Sequence, residues 1–168
     1  YRIRPLNAGV LPEKGGAMIF ANHLSYIDAF ILSASSDRLV RFVMFDHYMS
    51  VKWMRPFLKL FGVVPISPTR AKEAIRTVAD AIKGGELVCI FPEGQLTRTG
   101  TMNEIKKGFQ LMVRQADAPV IPVYMDKLWG TIFSYERGCF FKKWPYRFSY
   151  HLSVYFGEPL EPKEATSN

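Results

Sequence analysis

The sequence predicts an α/β fold in which a central, mostly parallel or mixed sheet is flanked by helices. Short apolar runs that suit buried strands alternate with amphipathic segments that suit helices. The 168 residues are enough for one substantial core, and 48% of them are hydrophobic. We therefore expect residues 1–168 to form a single domain. Because the chain begins at Tyr1 and ends in a polar tail, we also expect it to be excised from a longer protein.

The elements are predicted in the following order. The strands are short apolar runs, at 17–21, 38–45, 63–66, 87–91, 120–124 and 151–156. The clearest helix covers 69–83, because apolar residues recur on one of its faces and two glycines follow it. A second helix is expected over 105–116, with Phe109 and Met112 inward and Lys106 outward.

Segment 46–61 is too apolar for an ordinary surface helix, yet it carries Lys52, Arg55 and Lys59 among its aromatic residues. This pattern is typical of an interfacial segment lying on a bilayer, and the alternative is a core helix with three solvated cations. Pro56 should kink or divide it.

Segment 140–148 mixes aromatic and basic residues in the same way. Trp and Tyr beside Lys and Arg suit the headgroup layer of a membrane, and the alternative is a packed loop. No apolar run is long enough to cross a bilayer, so we expect peripheral attachment to the cytoplasmic face of a membrane, in a bacterium the inner membrane.

The net charge of +7 indicates an anionic partner. No helix-turn-helix, zinc finger or RNA-binding signature accompanies it, which favours a membrane surface over nucleic acid. Of the two cysteines, Cys89 lies in a predicted buried strand, so a structural thiol is expected rather than a disulfide. No Cys/His spacing resembles a zinc site, and we expect no metal.

The first motif with chemical content is Asn22-His23 followed by Asp28. A His beside a carboxylate is the simplest general base near neutral pH. Ser25 and Asp28 have the spacing of a capping box, which predicts a helix from Ser25 through Leu32. Asp28 would then face back toward His23 and fix its tautomer, and backbone N–H groups near Ser25 could bind a developing oxyanion.

The second informative motif follows the strand at 87–91 and contains Glu93, Gly94, Thr97 and Arg98. Open α/β sheets place ligand contacts at the carboxyl ends of strands. Glu93 could accept a hydrogen bond from a substrate hydroxyl, and Arg98 could bind a phosphate with two N–H groups. Read alone, each motif also fits an ordinary helix cap or an ordinary turn.

Together the two motifs resemble the glycerolipid acyltransferases, the PlsC-like enzymes that acylate glycerol phosphate and lysophospholipids. The matching residues are Asn22, His23 and Asp28, then Phe91, Pro92, Glu93, Gly94, Thr97 and Arg98, then the strand Val120-Ile121-Pro122-Val123. The resemblance implies that His23 is the general base and that Asp28 orients it. It implies that Asn22, Glu93, Gly94, Thr97 and Arg98 help to bind the glycerol-phosphate acceptor.

One further motif of the family fits less well. The strand at 62–66 is present, but Pro68 occupies the usual position of an arginine. Arg70, two residues on, either binds phosphate from the start of the next helix or is a surface residue. Segments 128–134 and 156–160 resemble one subgroup, the acyltransferase domains of bacterial lysophospholipid-recycling proteins, which are 2-acylglycerophosphoethanolamine acyltransferases.

The resemblance implies acyl transfer from an acyl thioester, acyl-CoA or acyl carrier protein, to a hydroxyl of a lysophospholipid or acylglycerol phosphate. The donor is a co-substrate, and no resident cofactor is expected. The chain has no Gly-x-Ser-x-Gly elbow, in keeping with direct attack by the acceptor hydroxyl. Two alternatives remain: a hydrolase that uses His23 and Asp28 on a thioester or ester, and a non-catalytic module that binds anionic lipid.

Overall fold

A computed structural model describes residues 1–142, 144–145 and 149–166, without the side chains of Trp53 and Thr166. Within this part, the chain forms a seven-stranded sheet in the order β1-β7-β6-β2-β5-β3-β4. The strands are β1 (Arg2–Leu6), β2 (Ala17–Ala21), β3 (Val40–Phe45), β4 (Val64–Ile66), β5 (Leu87–Ile90), β6 (Val120–Asp126) and β7 (His151–Phe156). The helices are α1 (Asp28–Ser33), α2 (Arg55–Leu60), α3 (Ala71–Lys83), α4 (Gly108–Ala116) and α5 (Pro162–Thr166).

The sheet is mixed but mainly parallel. β2 pairs in parallel with β5 and β6, and β3 pairs in parallel with β4 and β5. Among the described strands, β6 and β7 form the only antiparallel pair, and β1 pairs with β7 in parallel. The carboxyl ends of β2, β3 and β5 therefore meet at one edge of the sheet, where ligands bind in this class of fold.

Two apolar layers cover the sheet. One layer holds Ile31 and Leu32 of α1 against the face that includes Ile19 and Cys89. The other is formed by α3 and α4, with Val78 packed near Val88. Contact is closest where α3 ends beside the start of β2, because a Cβ on Gly16 would lie 1.9 Å from the carbonyl oxygen of Ile82. Glycine is required at that point.

Strands β3 and β5 separate toward their carboxyl ends. Their pairing covers Val40 to Phe42 of β3 and ends at the Phe42–Cys89 pair. Beyond this point β3 pairs with β4 instead, from Val43 to Phe45. The sheet therefore has a gap beside the end of β5, and this gap positions the site described below.

The predicted α/β class is confirmed, and the strands at 17–21 and 151–156 have the predicted bounds. β1 was missed because Arg2–Leu6 is basic and contains Pro5, which suits a strand with only one neighbour. The second predicted helix begins at Gly108 rather than at 105.

Segment 46–61 is divided into 3-10 turns at Asp46–Ser50 and Lys52–Met54, followed by α2. Pro56 lies in the first turn of α2, where its missing N–H breaks no helical bond. The prediction of a break is confirmed, and it falls ahead of Pro56. In segment 140–148, Lys143, Tyr146, Arg147 and Phe148 lie outside the described residues.

Helices long and apolar enough to cross a membrane are absent from the residues that the structure describes.

Candidate active site

His23 and Asp28 form a hydrogen-bonded pair just beyond the end of β2. The Nδ1 atom of His23 lies 2.9 Å from Oδ2 of Asp28. Because an ionised carboxylate can only accept, this bond places the imidazole proton on Nδ1. Nε2 is then the nitrogen that can take a proton, and the His23 side chain keeps 23% of its surface exposed.

The carboxylate of Asp28 is fully buried and is held by its own loop. Oδ2 accepts the N–H groups of Leu24 at 2.6 Å and Ser25 at 2.9 Å. Oδ1 accepts the Ser25 hydroxyl at 2.5 Å. With the imidazole, the carboxylate has four hydrogen-bond partners, which fix its position.

The prediction that Ser25 caps a helix is wrong. α1 begins at Asp28, its N-cap residue is Ile27, and the Ser25 hydroxyl donates to the Asp28 carboxylate instead of accepting a backbone N–H. The oxyanion donors expected near Ser25 are also occupied, since the N–H groups of Leu24 and Ser25 point to Asp28. The spacing of Ser25 and Asp28 predicted that these residues lie together, but it did not predict which group donates the hydrogen bond.

The ring of Phe91 stacks on the His23 imidazole. The centroids are 4.1 Å apart and the planes differ by 16°. Phe91 in turn stacks with Phe42 of β3 at 6.3 Å. The imidazole is thus fixed by the carboxylate at one edge and by an aromatic ring on one face, which leaves little rotational freedom.

Glu93 is 1% exposed, and both of its oxygens accept backbone N–H groups. Oε1 lies 2.8 Å from the nitrogen of His23, and Oε2 lies 2.7 Å from the nitrogen of Asn103. The sequence suggested that this carboxylate would accept a substrate hydroxyl, whereas the structure shows it engaged by the protein's own backbone.

Asn22 and Thr97 are also turned to the protein. The Asn22 amide donates to the carbonyl of Met125 at 3.0 Å and accepts the Met125 N–H at 2.7 Å. The backbone N–H of Thr97 donates to the carbonyl of His23 at 2.9 Å, and its hydroxyl bonds within its own loop. Both side chains are buried, so we interpret both residues as holding the loop of His23 rather than as touching a substrate.

Arg98 and Gly94 do line the cavity beside His23. The Arg98 guanidinium carbon lies 5.1 Å from the centroid of the Tyr135 ring, an arrangement that suits a cation–π contact. Gly94 has a φ of 70°, which favours glycine, and turns the chain from Glu93 toward Arg98.

Arg70 lies at the start of α3, exposed to solvent, outside the residues that line the cavity. Its guanidinium makes two hydrogen bonds of 2.9 Å to Glu73. These bonds, together with the charge of Arg70, lower the pKa of Glu73, and the same bonds, together with the charge of Glu73, raise the pKa of Arg70. The predicted phosphate contact would require this pair to open.

The cavity has a volume of about 520 Å³ and reaches both layers of the protein. Its wall is polar near His23 and the turn after β5, and apolar elsewhere. The apolar wall includes Val43, Met44, Phe45, Ile66, Ile75, Ile90, Phe109 and Met112. The cavity therefore occupies the gap between β3 and β5, with His23 on its lining.

A family model described as Acyltransferase matches residues 2–126. The chain belongs to this acyltransferase family. Two relatives, both named 1-acyl-sn-glycerol-3-phosphate acyltransferase, come from Bacillus subtilis and Pseudomonas aeruginosa. They are 26% identical over 122 residues and 28% identical over 127 residues. These alignments cover 71% and 73% of the chain, and 60% and 48% of the relatives.

The fold of the acyltransferase is also found in a solved structure. The crystal structure of the 1-acyl-sn-glycerophosphate acyltransferase PlsC from Thermotoga maritima superposes with a TM-score of 0.73 at 18% identity. The match covers 99% of this chain and 64% of that one. The chain spans about half of the length of the curated relatives it matches. The resemblance to the PlsC-like glycerolipid acyltransferases is thereby confirmed.

In this member of the acyltransferase family, sequence reasoning missed the cavity position of Lys106 and the stacking role of Phe91. Lys106 is exposed, as expected, but it lies before α4 rather than within a helix, and it lines the cavity. Its N–H donates to the carbonyl of Pro92 at 2.9 Å, which ties it to the turn after β5. The signal in the sequence that could have identified it was a lysine between the turn after β5 and the next helix.

Proposed function

We propose that the protein is an O-acyltransferase that moves a fatty acyl group from an acyl thioester to a hydroxyl of an acylglycerol phosphate or lysophospholipid. The observation that carries this proposal is the His23–Asp28 pair on the wall of a cavity that is apolar over most of its surface. Family membership supports the same chemistry.

The reaction proceeds by general-base catalysis. Nε2 of His23 takes the proton of the acceptor hydroxyl as its oxygen attacks the thioester carbonyl. The tetrahedral intermediate then expels the thiolate, so that a C–O bond replaces the C–S bond. The imidazolium returns the proton to the thiolate, and Asp28 stabilises the imidazolium meanwhile. Base assistance of this kind contributes about 10²–10⁴-fold.

The two ends of the cavity suit the two parts of the substrates. Arg98 and Lys106 bring positive charge to the lining near His23, where the acceptor phosphate would lie. The apolar wall beside Ile75 and Met112 suits an acyl chain. The donor is acyl-CoA or acyl carrier protein, since both are anionic thioesters and the chain carries a net charge of +7.

A serine hydrolase is disfavoured by the geometry around Ser25. This residue is fully buried, and its hydroxyl donates to Oδ1 of Asp28, away from the role of a nucleophile. A hydrolase would therefore have to activate water with His23, and it would release free fatty acid.

We further propose that the protein works on the surface of an anionic bilayer. Four exposed aromatic side chains lie in two contacting pairs, which we call the aromatic patch: Tyr26 with Phe141, and Phe30 with Phe57. Tyr26 stacks with Phe141 at 5.7 Å, and Phe30 contacts Phe57 at 5.8 Å. Tyr26 also lines the cavity, which connects the patch to the proposed site.

Exposed cations accompany this aromatic patch. Lys52, Arg55 and Lys59 lie on the 3-10 turn and helix α2 that present Phe57. Exposed Trp144 follows Phe141 by three positions. Aromatic rings beside lysine and arginine suit the boundary between headgroups and acyl chains. Lipid substrates would then enter the cavity without crossing water.

The test of acyl transfer uses labelled oleoyl-CoA, or oleoyl-acyl carrier protein, with 1-acylglycerol-3-phosphate and a panel of lysophospholipids. We expect acylated product from the wild type, and loss of about 10²-fold or more in His23→Ala because the base is removed. His151→Ala is the matched control, since His151 is exposed at the start of β7 and is not among the cavity-lining residues.

Product formed equally by His23→Ala would contradict the assigned base. Free fatty acid without acylated lipid would identify a hydrolase. No turnover with either donor would favour the lipid-binding module. The panel also tests whether the protein belongs to the lysophospholipid-recycling subgroup. Membership predicts that lysophosphatidylethanolamine is preferred over 1-acylglycerol-3-phosphate, the acceptor in the names of the two bacterial relatives.

A further inference from the structure

We propose that Glu93 is a positioning residue: its carboxylate holds the backbone of His23 and closes the loop that carries Arg98, and it does not contact the acceptor. This inference rests on the proposed function. It replaces the role in substrate binding that the motif alone suggested.

The first support is the geometry of the carboxylate. Each oxygen has its own backbone donor, the N–H of His23 at 2.8 Å and the N–H of Asn103 at 2.7 Å. With only 1% of its surface exposed, the side chain presents almost nothing to the cavity. Each oxygen keeps a second lone pair, but an acceptor hydroxyl could reach it only if the loop that covers the side chain opened.

The second support is the loop that runs from Glu93 to Asn103. The hydroxyl of Thr97 accepts the N–H groups of Thr99 and Gly100 and donates to the carbonyl of Thr101 at 2.6 Å. The N–H of Thr97 reaches the carbonyl of His23 at 2.9 Å. Residues 94–103 thus form a closed loop, and Glu93 anchors its far end through Asn103.

These hydrogen bonds link His23, the proposed base, to the loop of Arg98, the cation expected at the phosphate. His23 is held through its N–H by Glu93 and through its carbonyl by Thr97. Arg98 follows Thr97 in the chain and lines the same cavity. One carboxylate therefore sets the distance between the atom that takes the proton and the guanidinium expected at the phosphate.

A carboxylate is suited to this position and an amide is not. The two backbone N–H groups reach different oxygens of Glu93, and a glutamine offers one acceptor oxygen and one NH₂ group at these two positions. Glu93→Gln keeps the shape of the side chain but sets a donor against a donor at one of the two N–H groups. The substitution therefore tests the bonds rather than the volume.

The experiment compares Glu93→Gln with Glu104→Gln, which removes the same charge from an exposed position one residue beyond Asn103. The amide NMR signals and hydrogen exchange of His23 and Asn103 are recorded first, because they need no substrate. We expect these two amides to shift and to exchange at least about tenfold faster in Glu93→Gln, and to be unchanged in Glu104→Gln.

Steady-state kinetics follow, with the acceptor varied. We expect kcat to fall by about 10²-fold in Glu93→Gln with KM for the acceptor within about twofold of wild type, since the base is displaced while the hydrogen bonds of the Thr97 hydroxyl still hold the loop of Arg98. Thermal unfolding of both variants shows whether each is folded under the assay conditions, so that a fall in kcat is not mistaken for unfolding.

A rise in acceptor KM at constant kcat would show that Glu93 touches the acceptor and would overturn the proposal. Unchanged His23 and Asn103 amides would overturn it whatever the kinetics. If the wild type proved inactive with every acyl donor and acceptor, the proposed function would fail, while the amide measurements would still decide whether Glu93 holds the two loops.

Discussion

His23 is placed by its neighbours more than by its own side chain. Its N–H, its carbonyl and its Nδ1 atom each have a hydrogen-bond partner, and Phe91 covers one face of its ring. The partners include Glu93, 70 positions away, and Asp28, five positions away. Under the proposed mechanism, a base fixed in this way would need little reorganisation when the acceptor hydroxyl arrives.

Removal of the charge of Asp28 should lower turnover strongly, while the protein still folds. We expect Asp28→Asn to lower kcat by about 10³-fold or more, because the imidazolium loses its counter-charge and the tautomer is no longer fixed. The measurement is kcat for acyl transfer, together with the unfolding temperature.

Asp117→Asn is the matched control for that substitution. Asp117 ends α4 in a left-handed conformation with φ of 48°, which asparagine also adopts. A turnover in Asp28→Asn equal to that of this control would refute the role of the carboxylate.

The partners of single residues were predictable only over short distances. The His23–Asp28 pair followed from a spacing of five, since a turn of chain brings such residues together. Asn22 and Met125 are 103 positions apart, and the partner atoms are backbone groups. A sequence shows what an asparagine or glutamate can bond to, but it does not show which distant N–H will reach it.

At the level of elements, hydrophobic patterning was a good guide to the strands with apolar residues, including the edge strand β4, and it missed the other edge strand, β1. β2 and β7 were predicted with the observed bounds because their apolar residues must be buried. β1 pairs on one side only, and its basic residues are exposed, so it lacks that signal. Segment 46–61 was recognised as unusual, while its division into short turns follows from packing that the sequence does not display.

The cations of the 3-10 turn at Lys52–Met54 and of α2 should govern attachment to lipid. We expect the triple variant Lys52→Glu, Arg55→Glu, Lys59→Glu to bind anionic vesicles at least about tenfold more weakly, since each cation near a charged surface contributes about 1 kcal/mol. Cosedimentation with phosphatidylglycerol vesicles measures this, and neutral vesicles should show a smaller difference.

The control reverses three exposed cations at the opposite edge of the sheet: Lys14, Lys83 and Arg114, which precede β2, β5 and β6. It carries the same change in net charge. Equal weakening in both triple variants would show that total charge, and not the aromatic patch with its cations, drives binding.

For the molecule as a whole, the sheet divides the core into two layers, and the cavity in the gap between β3 and β5 reaches both of them. Cys89 lies in β5 between β2 and β3 and is fully buried, whereas Cys139 is half-buried. Burial, with a smaller contribution from the charge of Asp28, raises the pKa of the Cys89 thiol well above its usual range. This thiol therefore reports on the integrity of the whole fold.

Thiol labelling at pH 8 should separate the two cysteines. We expect iodoacetamide to modify Cys139 in the folded protein and Cys89 only after unfolding, because alkylation requires an accessible thiolate. Peptide mass analysis of labelled samples, with Cys139→Ser as control, measures this. Stability should also fall as pH rises above the ordinary cysteine pKa, since the unfolded chain then releases a proton that the folded chain keeps.

Rapid labelling of Cys89 in the folded protein would show that β5 is open to solvent, against the buried central position found here.

The gap between β3 and β5 has a consequence for how the proposed activity could diversify. Because the cavity crosses from one layer to the other, Ile75 and Met112 on α3 and α4 shape its apolar wall, while the His23–Asp28 pair lies on the side of α1. Under the proposed function, substitutions at this wall would change which acyl chains fit without touching the pair. Acyl-chain selectivity and proton transfer would then be inherited as separate traits, one in each layer.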